Sequence, residues 1–388
     1  MSKKAVMYGA GNIGRGFIGK AFSESGYEVC FIDVQREIVE KLNQDRCYPV
    51  KIVTNEAQTD EMVKNVRAIS GLDVEAVADA IAEADIMATA VGVNVLPKIV
   101  KALSSGLKKR FDGSGRPLNI IICENLIDAD KYLRKLLEDE MRETEKATLD
   151  SKLGLVEASI GRMVPVMTSG MRGGNLLNVW VEPYDELPVD KDAFVGQIPE
   201  IRGLLPFSPF GFYIKRKLFV HNLGHSMCAY LGWQKGYSHI YECVADQDIL
   251  TVVKKAMQET AAAIYHEYGM QEEQLSLHID DLLFRFGNTA LGDTVARVGR
   301  DPLRKLGIND RLIGAALYCG EQGVDAEHLI TGIVAGLSYD NVNDEFAVKM
   351  QSQLSANGIE GFLVSSVGLS EASPLFQRIV SLYARKGA

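Results

Sequence analysis

"VMYGAGNIGRGFIG", residues 6–19, sets three glycines in the spacing G-x-G-x-x-G (Gly9, Gly11, Gly14) between an apolar run and a helical pattern. Strand, glycine turn and helix in this order open a nucleotide-binding βαβ unit, in which each glycine has its own task. The first permits a tight turn, the second lets backbone approach a pyrophosphate, and the third lets the helix pack closely on the strand. The helix N-terminus then offers N–H donors to phosphate. The next apolar run, "YEVCFID" (27–33), ends in Asp33. An acid at that distance accepts hydrogen bonds from a ribose diol, and its charge repels a 2′-phosphate, which favours NAD over NADP. Arg36 pulls slightly the other way. The candidate cofactor-binding residues are therefore Tyr8, Gly9, Ala10, Gly11, Asn12, Ile13, Gly14 and Asp33, joined by Val91 and Gly92 in "TAVGVNVLP" (89–97). There Gly92 and Val93 either face the nicotinamide side of a cofactor or form an ordinary strand-end turn.

The rest of the first half repeats the alternation. "KAVMYG" (4–9), "DIMATAV" (85–91) and "LNIIIC" (118–123) are apolar on both faces and separated by amphipathic stretches, the pattern of a parallel sheet covered by helices on each side. "LGLVEASI" (153–160) and "LLNVWVEP" (176–183) extend it. From about residue 210 the chain reads as almost wholly helical. "DILTVVKKAMQETAAAIYHEYG" (248–269) closes on a glycine suited to a helix end, and Ser373 and Pro374 look like the start of the last helix. The expected class is α/β, a Rossmann-type doubly wound N-terminal domain (1–195) followed by a mainly α-helical C-terminal domain (196–388). A chain of 388 residues is long enough for two cores.

Forty-seven per cent apolar and 24% charged residues describe an ordinary folded protein, and a net charge of −9 argues against nucleic acid as a partner. The six cysteines (Cys30, Cys47, Cys123, Cys228, Cys243, Cys319) are scattered singly, several inside apolar runs, as reduced core cysteines are. No apolar signal segment opens the chain and no run suits a membrane span, so the expected location is the cytoplasm. Monomer and dimer stay equally open.

A bound nicotinamide implies hydride transfer and a group that takes or gives a hydroxyl proton. The six histidines form no H-E-x-x-H and do not join the cysteines in a zinc pattern, so no metal is expected and the base should be organic. "KRKLFVHNLGHS" (215–226) holds Lys217, Asn222 and His225 in the spacing K-x4-N-x2-H. A helix starting near 219–222 would put Asn222 and His225 on one face with Lys217 just before its electropositive end. That dipole, with Lys215 and Arg216 adjacent, would lower the lysine into a range where it serves as a base.

This constellation resembles the polyol-specific long-chain dehydrogenases of the mannitol dehydrogenase family, over the whole chain. The resemblance implies that Lys217 is the general base and that Asn125, in "ICENL" (122–126), joins Asn222 in an oxyanion hole, with His225 orienting substrate or lysine. "DTVARVGRDPLRKL" (293–306) is similar to a segment whose arginine and lysine bind substrate hydroxyls, here Arg297 and Lys305; on one helix positions eight apart both face one pocket. "IGRMVP" (160–165) keeps Arg162 but has Gly161 where relatives carry an acid. Chains of this length resemble the branch that takes a sugar or polyol phosphate, so the implied reaction interconverts D-mannitol 1-phosphate and D-fructose 6-phosphate with NAD. Lys215, Arg216, Arg300 and Arg304 are cations suited to an anion. A reductase of an unphosphorylated ketose or uronate, and an NADH-sensing regulator without turnover, are the alternatives.

Overall fold

The computed structural model describes residues 3–165, 167–269 and 272–387. Its strands are β1 (Lys3–Tyr8), β2 (Tyr27–Asp33), β3 (Cys47–Val53), β4 (Gln58–Lys64), β5 (Val66–Ser70), β6 (Ile86–Thr89), β7 (Leu118–Ile122), β8 (Leu153–Glu157), β9 (Val179–Val181), β10 (Leu187–Asp190) and β11 (Leu204–Phe207). Six of them form one sheet in the order β5-β2-β1-β6-β7-β8, parallel throughout. Counted within the sheet this is 3-2-1-4-5-6, the Rossmann order, and it reverses direction between β1 and β6.

Period-two alternation divides the sheet's side chains between two cores. Ala5, Met7, Val29 and Phe31 enter one, with Phe17, Ile18, Phe22, Ile38 and Leu42 from the helical segments Gly14–Glu24 and Arg36–Asp45. Val6, Tyr8, Cys30 and Ile32 enter the other, against Val77 and Ile81 of helix Val74–Glu83 and Ile99, Leu103 and Leu107 of helix Leu96–Gly113. Burial on both faces explains why these strands read as unbroken apolar runs. On the first face part of the cover is a second sheet, β4-β3-β9, whose Tyr48, Val50, Val63, Val179 and Val181 belong to the same core.

The chain divides into the compact units Met1–Gly211 and Phe212–Ala388, later than the 195/196 division expected from sequence. Segment 196–211 stays with the first unit because its backbone is bonded there. β11 pairs with β10 and the Arg202 N–H donates to Ser25 Oγ at 2.8 Å, while just before the segment the Asn119 amide brackets Val195 from both sides. The second unit is helical. Gly211–Lys215, a π turn at Arg216–His221 and Asn222–Gln234 follow one another without a break, and the last of these buries Leu223, Met227, Cys228, Ala229 and Tyr230. Helix Gln247–Tyr268 starts on Asp246, which accepts from two backbone N–H groups, and ends at Gly269 in the left-handed region, as its sequence indicates. The cysteines are free thiols, all buried except the half-buried Cys47. Among the described residues no helix is long and apolar enough to cross a membrane.

Arg110, 2% exposed, fastens one edge of the first unit. Its guanidinium donates to the carbonyls of Ala82, Ala84, Arg116 and Pro117 at 2.6–2.9 Å, satisfying the end of helix Val74–Glu83 and the approach to β7. Arg110→Leu leaves the buried Ala84 carbonyl and the part-buried ones without this donor, and chemical denaturation should show a loss of about 3 kcal/mol.

Candidate active-site segments

The glycine loop closes at the end of β1, at the point where the sheet reverses direction. Gly9 has φ +102°, and a Cβ there would lie 2.4 Å from the Ala90 carbonyl oxygen. At Gly14 a Cβ would lie 2.0 Å from the Gly9 carbonyl oxygen, so the helical segment reaches the strand only because this residue has no side chain. Gly11 differs, since a Cβ there meets no protein atom within 4 Å. The fold does not require glycine at Gly11, and the backbone there is open to the approach of a ligand.

Asp33 Oδ2 accepts from the Ala10 N–H at 2.8 Å and Oδ1 from the Gln35 N–H at 2.9 Å. The acid is therefore fixed to the glycine loop, with lone pairs remaining for a diol. Arg36 is paired with Glu40 at 2.6 Å, so its charge is already answered. The open position at Gly11 and the oriented acid fit a dinucleotide whose ribose carries no 2′-phosphate.

At the neighbouring strand end, Glu124 does what the sequence reading left unassigned. Its buried carboxylate accepts from Val91 N–H at 2.9 Å and Gly92 N–H at 2.8 Å, with Gly92 at φ +91°. The turn at Val91–Gly92 is thereby tied to the segment after β7, and the next residue, Asn125, sits exposed at the bend. Arg162 donates twice to the Glu182 carbonyl and once to that of Gly16, a structural brace under the glycine segment. A Cβ at Gly161 would lie 3.1 Å from the Tyr184 ring.

The lysine segment corrects the sequence expectation. No helix begins at 219–222: helical backbone is continuous from Gly211, and Lys217 lies inside it within a π turn. The helix dipole therefore does not act on Lys217 as an N-terminal charge. What the backbone supplies is direction. In an α-helix five residues turn through about 500°, which leaves Lys217 and Asn222 roughly 140° apart. Here the Asn222 N–H donates to the Lys217 carbonyl, an i→i+5 bond. In regular geometry that wider turn corresponds to about 50° between the two positions, with His225, one α-turn on, about 20° or less from Lys217. The His225 ring stacks on Phe286, with centroids 4.8 Å apart and 14° between planes, and its buried Nε2 lies 3.3 Å from Asp293 Oδ2 without completing a hydrogen bond. His221, pointing into the core, is pushed well below the usual histidine range by burial, with Arg285, His225, His278 and Lys217 adding to it.

The flanking cations are engaged elsewhere. Lys215 pairs with Glu267 and lies over the rings of Tyr318 and Tyr268, and Arg216 stacks over Tyr213 at 4.4 Å. Arg304 pairs with Asp301 and Asp310, both at 2.9 Å. Arg297 and Lys305 do not share one helix. Val295–Gly299 and Pro302–Lys305 are separate, divided at Asp301 in the left-handed region, so the i, i+8 reasoning does not apply. Lys305 is 6% exposed and donates to the carbonyls of Val298 and Arg300, where it caps the preceding helix; burial, with Arg311 and Arg304, pushes it down to about 7. Arg297 remains part-exposed and pairs with Asp293.

The last two glycines of the motif separate fold from ligand. Gly14→Ala should cost at least about 1–3 kcal/mol in thermal or chemical unfolding, because backbone must move. Gly11→Ala should unfold as the parent does while losing about tenfold in NADH affinity by fluorescence titration.

Comparison with known proteins adds to this geometry. Residues 3–203 match the mannitol dehydrogenase Rossmann domain and residues 211–362 the mannitol dehydrogenase C-terminal domain. A mannitol-1-phosphate 5-dehydrogenase of Brevibacillus brevis is 39% identical over 382 residues, 98% of this chain and 97% of that one. A Pseudomonas fluorescens mannitol 2-dehydrogenase, solved as a ternary complex with NAD and D-mannitol, has a TM-score of 0.77 at 16% identity over 99% of this chain and 91% of its own. A D-sorbitol dehydrogenase in substrate-free form has a TM-score of 0.79, also at 16% identity, over 99% and 93%. At that identity the two structures establish shared fold, whereas the domain matches and the full-length relative establish descent: the chain belongs to the mannitol dehydrogenase family and is an NAD-dependent dehydrogenase.

Proposed function

We propose that the protein interconverts D-mannitol 1-phosphate and D-fructose 6-phosphate without a metal, using Lys217 as general acid and base. What supports this reading is the π turn, whose bond from the Asn222 N–H to the Lys217 carbonyl in regular helical geometry turns Lys217, Asn222 and His225 toward one side of the helix. NAD, when bound, supplies the acceptor for the hydride that leaves C5. Lys217 in its neutral form takes the C5 hydroxyl proton. Asn222 and Asn125 donate hydrogen bonds to the oxygen as it gains negative charge, where preorganised donors are most effective. His225, stacked on Phe286, is held to one orientation and steers the substrate or the lysine. The Val91–Gly92 turn, fixed by Glu124, serves the nicotinamide side, and the loop Tyr8–Gly14 with Asp33 serves the pyrophosphate and ribose. The phosphate of the substrate rests on the Brevibacillus brevis relative, whose name carries it.

One observation favours the second reading, an unphosphorylated ketose or uronate. Lys215 and Arg304, cations suited to a phosphate by sequence, are each paired with a carboxylate. NADH absorbance with fructose 6-phosphate, fructose and tagaturonate side by side separates the two readings. Turnover with fructose 6-phosphate alone is expected; preference for either other compound replaces the first reading by the second, and tight NADH binding with no turnover on any indicates a sensor. Lys217→Ala should lower kcat by about 10²–10⁴-fold with NADH affinity unchanged, and near-normal turnover removes the lysine from the mechanism.

A further inference from the structure

Asp293 places one carboxylate against two groups of the proposed reaction. Oδ2 stands 3.3 Å from His225 Nε2, and Oδ1 accepts from the Arg297 guanidinium. The Asp293 side chain is 12% exposed, against 16% for His225 and 43% for Arg297, so the carboxylate lies behind the arginine it holds. Its own backbone is pinned. The Asp293 carbonyl accepts from the Ile240 N–H at 2.9 Å, and Thr294 forms a bridge with His239. The Thr294 hydroxyl in turn accepts from the Arg297 N–H and starts the short helix that carries the arginine. Arg297 is thus fixed at both ends, main chain by Thr294 and side chain by Asp293.

We infer that Asp293 is the positioning carboxylate of the active site, holding the His225 ring and the Arg297 guanidinium in one fixed relation. The inference rests on the function proposed above. Burial alone would raise the Asp293 carboxyl, but contact with His225 and Arg297 holds it below the usual carboxylate range, so the group is ionised at neutral pH. Two consequences follow for recognition. The Phe286 stack sets the plane of the His225 ring, and the Asp293 charge 3.3 Å from Nε2 favours the ring orientation and tautomer with an N–H on that edge. The Asp293–Arg297 pair is neutral overall, yet the guanidinium has five N–H donors and is not exhausted by one carboxylate. A neutral, directional donor set suits a sugar hydroxyl and is a weak anchor for a phosphate dianion.

The test uses the full chain with NADH and whichever ketose the parent reduces. Asp293→Asn keeps the size and removes the charge; it should lower kcat/KM by 10- to 100-fold with NADH affinity within twofold of the parent. In a His225→Asn background the same change should cost at least threefold less than it does in the parent, because the part of its effect that runs through the histidine is already gone and only the part through Arg297 remains. Parent-like kcat and KM in Asp293→Asn, or effects of the two changes that multiply independently, would overturn the inference. If Asp293→Asn no longer binds NADH, Asp293→Glu is read instead. It keeps the charge but shifts it by one methylene, so a tenfold loss of kcat/KM is expected and a parent-like value overturns the inference. Parent chain that reduces none of fructose 6-phosphate, fructose and tagaturonate defeats the proposed function; active parent with unaffected Asp293 variants defeats only the role of Asp293.

Discussion

A carbonyl oxygen fixes the geometry of the first unit. Gly9 O lies where a side chain at residue 14 would begin, so strand and helical segment meet at backbone distance. From that contact the turn at the end of β1 acquires its shape, Ala10 comes into reach of Asp33, and the helical segment with Phe17, Ile18 and Phe22 seats on one face of the sheet. Arg162 reaches the Gly16 carbonyl from below and leans over the Phe17 ring at 5.4 Å, so the same segment is held on its far side too. Packing and ligand geometry are one constraint here. The glycine that closes the core also aims the loop.

In the second unit the comparable constraint is the bond between the Asn222 N–H and the Lys217 carbonyl. A π turn gives up the tighter bonding of an α-helix, and such turns concentrate at functional sites. Its return is angular, since it turns a side chain by roughly a quarter of a circle relative to the rest of the helix. The following helix is buried nearly all round, with Leu223, Met227 and Tyr230 in its core, so the direction is set against a rigid body.

Five of the six strands of the parallel sheet were legible because they are buried on both faces and carry little polarity. β3, β4 and β5 were not, for particular reasons. Pro49 inside β3 reads as a break, β4 is the largely exposed polar run "QTDEMVK", and β5 is only five residues long with a charged one among them. At the site, Gly9, Gly11, Gly14 and Asp33 could be read because each answers a local demand of a strand–turn–helix. The placement of Lys217 could not be read from an assumed helix start, although the K-x4-N spacing is itself at odds with an α-helix, whose five-residue step points side chains apart. Asp301–Pro302 carries a cap and first-turn signature between Arg297 and Lys305, so the break there was also written in the sequence. Glu124 and Asp293 were missed for a different reason: each acts on partners distant in sequence (Val91 and Gly92, or His225), and no local pattern announces such a pair.

The π turn also bears on how the lysine motif should be compared between proteins. One residue removed between Lys217 and Asn222 would let the helix close as a plain α-helix, and four α-steps leave about 40° between the same two side chains, nearly the angle that five residues give here. Spacing and backbone form can therefore trade against each other while the presented face stays the same. A dehydrogenase carrying lysine and asparagine four apart on an unbroken helix would be the geometric equivalent of this one, though a search for K-x4-N would pass it by.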